Sequence, residues 1–129
     1  MGIKTYFCSN VCAAYKKDIY QELGGFVRHT IFNEDMIYAA GLIEAGYSIA
    51  YAADAQVYHS HNYGCIAQLK RNFDLGVSQA QYPEIFEKYP SEGEGIRMVK
   101  QTAAYVCRIH RPWLLASLFF QSGFKYLGY

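Results

Sequence analysis

The sequence has no excess of either charge: 12 Lys and Arg face 11 Asp and Glu, a formal net of +1. Polyanion binding driven by bulk charge is thereby excluded, and nucleic acid is not an expected partner. Charged residues are also few, 18% against 52% hydrophobic, which rules out intrinsic disorder as the general state. Cysteines number four, without a second close pair, and no basic segment followed by an apolar one opens the chain. Neither a disulfide framework nor a secretory leader is indicated, and a reducing, cytoplasmic setting is the expectation. The apolar or small stretch from Trp113 to Phe120 is eight residues long, far short of the roughly 18–20 that cross a bilayer. No internal repeat or low-complexity segment is evident, and 129 residues make one compact domain rather than two.

The chain is rich in tyrosine and phenylalanine, 13 and 8 of them, rings that gather at ligand clefts and wet interfaces. Its charge is unevenly spread. Residues 1–64 carry four basic and six acidic side chains, a net of −2, and residues 65–129 carry eight and five, a net of +3. From Ile96 to Tyr129 there are five cations, Arg97, Lys100, Arg108, Arg111 and Lys125, and not one acid, so an anionic surface is expected to face this stretch.

Spacing sets the expected elements. Lys4–Ala14 reads as a largely buried strand running into a turn, and Tyr47–Ala52 and Ala55–His59 as two short strands. Lys16–Leu23 presents Ile19, Tyr20 and Leu23 on one helical face and stops at Gly24-Gly25. A second helix follows Asn33, its expected N-cap, with Met36, Ile37, Ala40, Leu42 and Ile43 at helical intervals up to Gly46. A third runs from Gly64 through Ile66, Leu69, Phe73 and Val77. Residues 82–95, with Pro83, Pro90, Gly93, Gly95 and several Glu, form a connection, and the tail reads as two helices broken near Pro112. A basic, Trp- and Phe-rich helix pair suits a peripheral membrane anchor, and equally a pair packed on another protein or a second copy.

Three groups of residues could carry chemistry. Glu34-Asp35 opens the second helix, where the macrodipole places roughly half a positive charge beside a carboxylate. An acid so held could accept the proton of an attacking sugar hydroxyl, or it could simply stabilise the helix start. His59 and His61, two apart on an extended chain, point to the same side and could face one metal, or be exposed loop histidines. Cys8 and Cys12 read as small core residues rather than zinc ligands.

Taken in order, Ser9-Asn10-Val11-Cys12-Ala13-Ala14-Tyr15-Lys16-Lys17, Leu23-Gly24-Gly25-Phe26, Asn33-Glu34-Asp35, Ala45-Gly46-Tyr47-Ser48-Ile49-Ala50-Tyr51 and Val57-Tyr58-His59 resemble the C-terminal part of the GT-A domain of inverting family-two glycosyltransferases, most closely bacterial rhamnosyltransferases. The match covers roughly residues 5–63. It implies an α/β fold, the acceptor-binding half of a GT-A domain without its N-terminal nucleotide-binding half, with a helical C-terminal extension. The boundaries expected are 1–80 for the acceptor and catalytic-base half, 81–95 for a connection and 96–129 for the extension.

The resemblance also implies roles. Asp35 would be the general base with Glu34 its polar neighbour, and Asn10, Gly25 and Phe26 would lie on the acceptor side, as would Lys16-Lys17. His59, with His61 as a second candidate, would join a divalent cation, Mg or Mn, and the donor diphosphate. The partners implied are a nucleotide-sugar donor, with dTDP-rhamnose the one indicated, and a saccharide or lipid-linked acceptor. Val27-Arg28 stand where the family often has an acidic pair, and Ile37 where another acid is frequent. The sequence contains no Asp-x-Asp, the family's usual nucleotide and metal motif, so the parent enzyme is expected to be longer and this portion inactive alone. The competing reading is a non-catalytic membrane-associating or protein-interaction module.

Overall fold

A computed structural model describes residues 6–88 and 92–129. Six helices follow in order: α1 (Lys17–Glu22), α2 (Glu34–Glu44), α3 (Cys65–Ala80), α4 (Pro83–Phe86), α5 (Glu92–Arg108) and α6 (Leu114–Gly128). α1, α2 and α3 fall where the apolar spacing places them, and the tail breaks between Arg108 and Leu114, around Pro112. α4 and the start of α5 occupy part of the 82–95 segment expected as a connection, since Pro83 sits in the first turn of α4, the position where its missing N–H costs nothing.

The segments expected as strands are irregular among the described residues, 6–14, 47–52 and 55–59 alike. A helix closes its hydrogen bonds within itself, whereas an extended segment becomes a strand only beside a second one, and here none of the described segments pairs. Lys4 and Thr5, at the start of the first expected strand, lie outside the described residues, as does Pro90.

The described residues group into two compact units. The first draws on Met1–His61 and Ser78–Tyr89, the second on Asn62–Val77 and Pro90–Tyr129, so the division passes through α3. In the first unit α2 is central: Ile37, Tyr38, Ala39 and Ala40 are consecutive and all buried, which leaves that part of the helix without a solvent face. Ser78 is wholly buried there, and its Oγ accepts the backbone N–H of Phe32 at 3.0 Å. In the second unit α5 packs on α6, Val106 is buried, and Gly128 lies against the carbonyl of Leu69 so closely that a Cβ would overlap it.

α2 begins as expected but is capped differently. Asn33 stands at the N-cap with its carbonyl accepting Ile37 N–H at 2.9 Å, yet its backbone is left-handed (φ 67, ψ 14) and its side chain makes no cap bond. Its buried Nδ2 has no partner. Asparagine tolerates this backbone, which turns its side chain off the line that an N-cap needs. The first-turn hydrogen bond is made instead by Asp35, whose Oδ1 accepts Met36 N–H at 2.8 Å.

Candidate functional site

The start of α2 is where the expected site residues meet. The backbone N–H of Asn10 donates to Asp35 Oδ2 at 3.0 Å, and its side-chain Nδ2 donates to Glu34 Oε1 at 3.1 Å. One residue of the irregular N-terminal segment thus holds both carboxylates. Asp35 takes one N–H on each oxygen, from Met36 on Oδ1 and from Asn10 on Oδ2. A carboxylate offers about four lone-pair directions, so roughly two remain for a hydroxyl proton. The group is oriented without being saturated, and it is only half-buried, within reach of a solute.

Gly25 and Phe26 belong to the turn after α1. That turn is built on Tyr20: its hydroxyl accepts Phe26 N–H at 3.0 Å, and a Cβ at Gly25 would lie 2.7 Å from its ring. Gly25 is itself at φ +70, so a side chain there would meet both strain and crowding. The Phe26 ring joins Tyr15, Tyr20 and Tyr38 in a cluster where every pair is in contact. Their centroids are 5.1 to 6.1 Å apart, mostly edge to face. Each such pair contributes about 0.5–1.5 kcal/mol beyond the area it buries. The cluster fixes the Gly25-Phe26 turn against α2, because Tyr38 lies one turn beyond Glu34-Asp35.

Tyr15 connects this cluster to the carboxylates. Its ring is 5.4 Å from that of Phe26, while its hydroxyl donates to Asn10 Oδ1 at 2.7 Å and lies 3.3 Å from Cys8 Sγ. Burial above all pushes the Tyr15 phenol up, helped by Cys8 and by the negative charge of Asp35. The hydroxyl therefore keeps its proton and remains a donor. Spacing places Tyr20 on the apolar face of α1 but gives no sign that it meets Tyr15 and Tyr38; for that the abundance of tyrosine is the only signal in the sequence.

The two histidines do come together: the rings of His59 and His61 lie 4.3 Å apart at 89°. They do not make a cation site by themselves, since no group of three or more His, Cys, Asp or Glu able to hold a metal occurs among the described residues. Two imidazoles leave most of the coordination of Mg or Mn, which favour oxygen ligands, to be supplied from elsewhere. Cys8 is half-buried and Cys12 exposed, and both are free. Lys16 and Lys17, on the side expected to face the acceptor, are exposed.

Over its whole length the chain is 43% identical to the O-antigen chain rhamnosyltransferase WbaN of Salmonella anatum, and 42% identical to the O-antigen chain rhamnosyltransferase RfbN of Salmonella typhimurium. The similarity to these two proteins runs along the whole chain. The similarity extends past the 5–63 stretch that carried the resemblance, into α5 and α6. The chain spans 41% of the length of each of these curated relatives. No family model matches it, and no solved structure matches it.

Proposed function

We propose that this chain is the acceptor-side half of the GT-A domain of a longer, inverting glycosyltransferase that uses a nucleoside-diphosphate sugar, with dTDP-rhamnose as donor. The observation that carries the reading is the junction at the start of α2, where Asn10 orients Glu34 and Asp35 beside the turn that bears Gly25 and Phe26. The relatives' names, O-antigen chain rhamnosyltransferases, support rhamnose as the sugar moved and a saccharide as acceptor; the dTDP carrier rests on the family resemblance.

In this scheme an acceptor hydroxyl approaches the free lone pairs of Asp35. Its oxygen attacks the anomeric carbon of the donor, the bond from that carbon to the diphosphate breaks, and the proton passes to Asp35 as the new glycosidic bond forms. A single displacement inverts the anomeric carbon. General base catalysis of this kind is worth about 10² to 10⁴ in rate. Glu34 holds the side chain of Asn10 and takes no proton. A divalent cation bound in the longer enzyme would stabilise the departing diphosphate; the described residues do not by themselves assemble its ligands, and His59 and His61 would be the ones this chain could offer. The experiment is transfer by the longer protein carrying Asp35→Asn, which keeps the shape of the side chain but cannot take the proton. Loss of transfer with unchanged circular dichroism is expected; retention of transfer contradicts the scheme.

We further propose that residues 96–129 rest on an anionic membrane surface at the cytoplasmic face. Trp113, Phe120 and Leu127 recur at intervals of seven, as do Phe119 and Tyr126, and all five are exposed. Seven residues are close to two helical turns, so they share one side of α6. The cations of this acid-free stretch fit an acidic lipid surface. No helix among the described residues is long and apolar enough to cross a membrane, so the association would be at the interface.

A further inference from the structure

We infer that Tyr15 is a positioning residue for the Asp35 base, acting through Asn10 rather than on the substrate; the inference rests on the role proposed above for Asp35. The amide of Asn10 has two ends, and only one orientation serves both neighbours. Glu34 Oε1 needs a donor and receives Nδ2 at 3.1 Å, which turns Oδ1 away and requires a donor on the other side. Tyr15 supplies it at 2.7 Å, the shortest bond of the junction.

A phenol has one proton. With it given to Asn10, the contact to Cys8 at 3.3 Å can only have the thiol donating to the phenol oxygen. The bonds thus run in one direction, from Cys8 to Tyr15, to Asn10, to Glu34, while the backbone N–H of the same Asn10 holds Asp35. Burial of the phenol keeps it protonated and so keeps that direction fixed.

Tyr15 is well placed to transmit position because its ring does not move freely. It packs on Tyr20, Phe26 and Tyr38 at centroid distances of 6.1, 5.4 and 5.5 Å. Tyr38 belongs to α2, four residues after Glu34, and Phe26 belongs to the acceptor-side turn. One side chain therefore sets the segment that bears Asn10 against both α2 and the turn. Small displacements of a base are costly to rate, on the order of 10²-fold for 1 Å.

The test is a double-mutant cycle in the full-length protein, with dTDP-rhamnose as donor and a lipid-linked saccharide as acceptor. Tyr15→Phe removes the hydroxyl and keeps the ring. It is expected to lower kcat about tenfold, the rate equivalent of one hydrogen bond, with the acceptor KM within about twofold of wild type. Asn10→Ala should lower kcat at least as much, and adding Tyr15→Phe to it should cause no further loss, because the route through Asn10 is already cut. A kcat for Tyr15→Phe within about twofold of wild type, or losses that multiply in the double variant, overturns the inference.

Where the Phe variant alters near-ultraviolet dichroism, 3-fluorotyrosine at position 15 keeps the fold and changes only donor strength. A changed kcat with KM unmoved supports the inference, and an unchanged kcat overturns it. Asp35→Asn run in parallel separates the two claims. An active Asp35→Asn overturns the base assignment, whereas an inactive one beside an unaltered Tyr15→Phe overturns the role of Tyr15 alone.

Discussion

The backbone N–H of Asn10 donates to the carboxylate of Asp35 at 3.0 Å, across 25 positions of sequence. The donor is a main-chain group, so it persists whatever the side chain at position 10, but the side chain of Asn10, bonded to Glu34 and Tyr15, sets where that donor lies. Orientation of Asp35 thus depends on where the N-terminal segment lies, and that in turn depends on Tyr15 and the rings around it.

The Gly25-Phe26 turn is expected to reject any side chain at its first position. Gly25→Ala places a Cβ at φ +70 and 2.7 Å from the Tyr20 ring. A loss of about 1–2 kcal/mol in urea unfolding is expected from the left-handed backbone, and more where Tyr20 cannot yield. Unchanged or increased stability contradicts the geometry of this turn.

Ser78→Ala removes the acceptor of Phe32 N–H in a fully buried place. A net loss of about 0.5–1.5 kcal/mol is expected by denaturant titration, without change in the aromatic near-ultraviolet signal. A neutral outcome would show that the bond contributes nothing to the first unit.

Three phenols sit above their ordinary value of 10.0: Tyr15 and Tyr38 mainly through burial, and Tyr47 mainly through the charge of Glu22, to which its hydroxyl donates at 3.2 Å. The folded chain then holds protons that the unfolded chain has lost above about pH 10. Bound protons are more numerous in the folded state, so the free energy of unfolding falls as pH rises through that range. These groups leave stability untouched below pH 10 and lower it above, which Tm measured between about pH 8 and pH 11 reports. Tyr15→Phe should make the alkaline fall shallower; a fall of undiminished slope contradicts the assignment.

For the acid-free tail, co-sedimentation with vesicles of phosphatidylglycerol is expected at low salt and should weaken at about 0.5 M salt. Phe119→Ser combined with Phe120→Ser should reduce it further. Equal binding to phosphatidylcholine, or none to either lipid, contradicts a basic interfacial contact.

The helices were legible because a helix is a local object: Ile19, Tyr20 and Leu23, or Met36, Ile37 and Ala40, carry their period within a few residues, and Gly24 at φ +81 ends α1 as its type implies. The expected strands were not decided by such local information, since pairing depends on a distant neighbour. Asn33 is the N-cap of α2 as its type implies, but its side chain makes no cap bond, because its left-handed backbone is not visible in the sequence. Glu34 and Asp35 stand out by their place at a helix start, but Asn10 only through family resemblance, as residues 24 and 25 apart have no common period. The four-ring cluster, assembled from the segments around Tyr15, Tyr20, Phe26 and Tyr38, had no local signature beyond an abundance of tyrosine.

The most direct measurement is a single-turnover comparison of Asp35→Asn with Glu34→Gln in the longer protein, at saturating donor. The expected result is a fall of at least about 100-fold for Asp35→Asn and of less than about tenfold for Glu34→Gln. Transfer that survives Asp35→Asn, or that depends more on Glu34 than on Asp35, would contradict the assignment of the base.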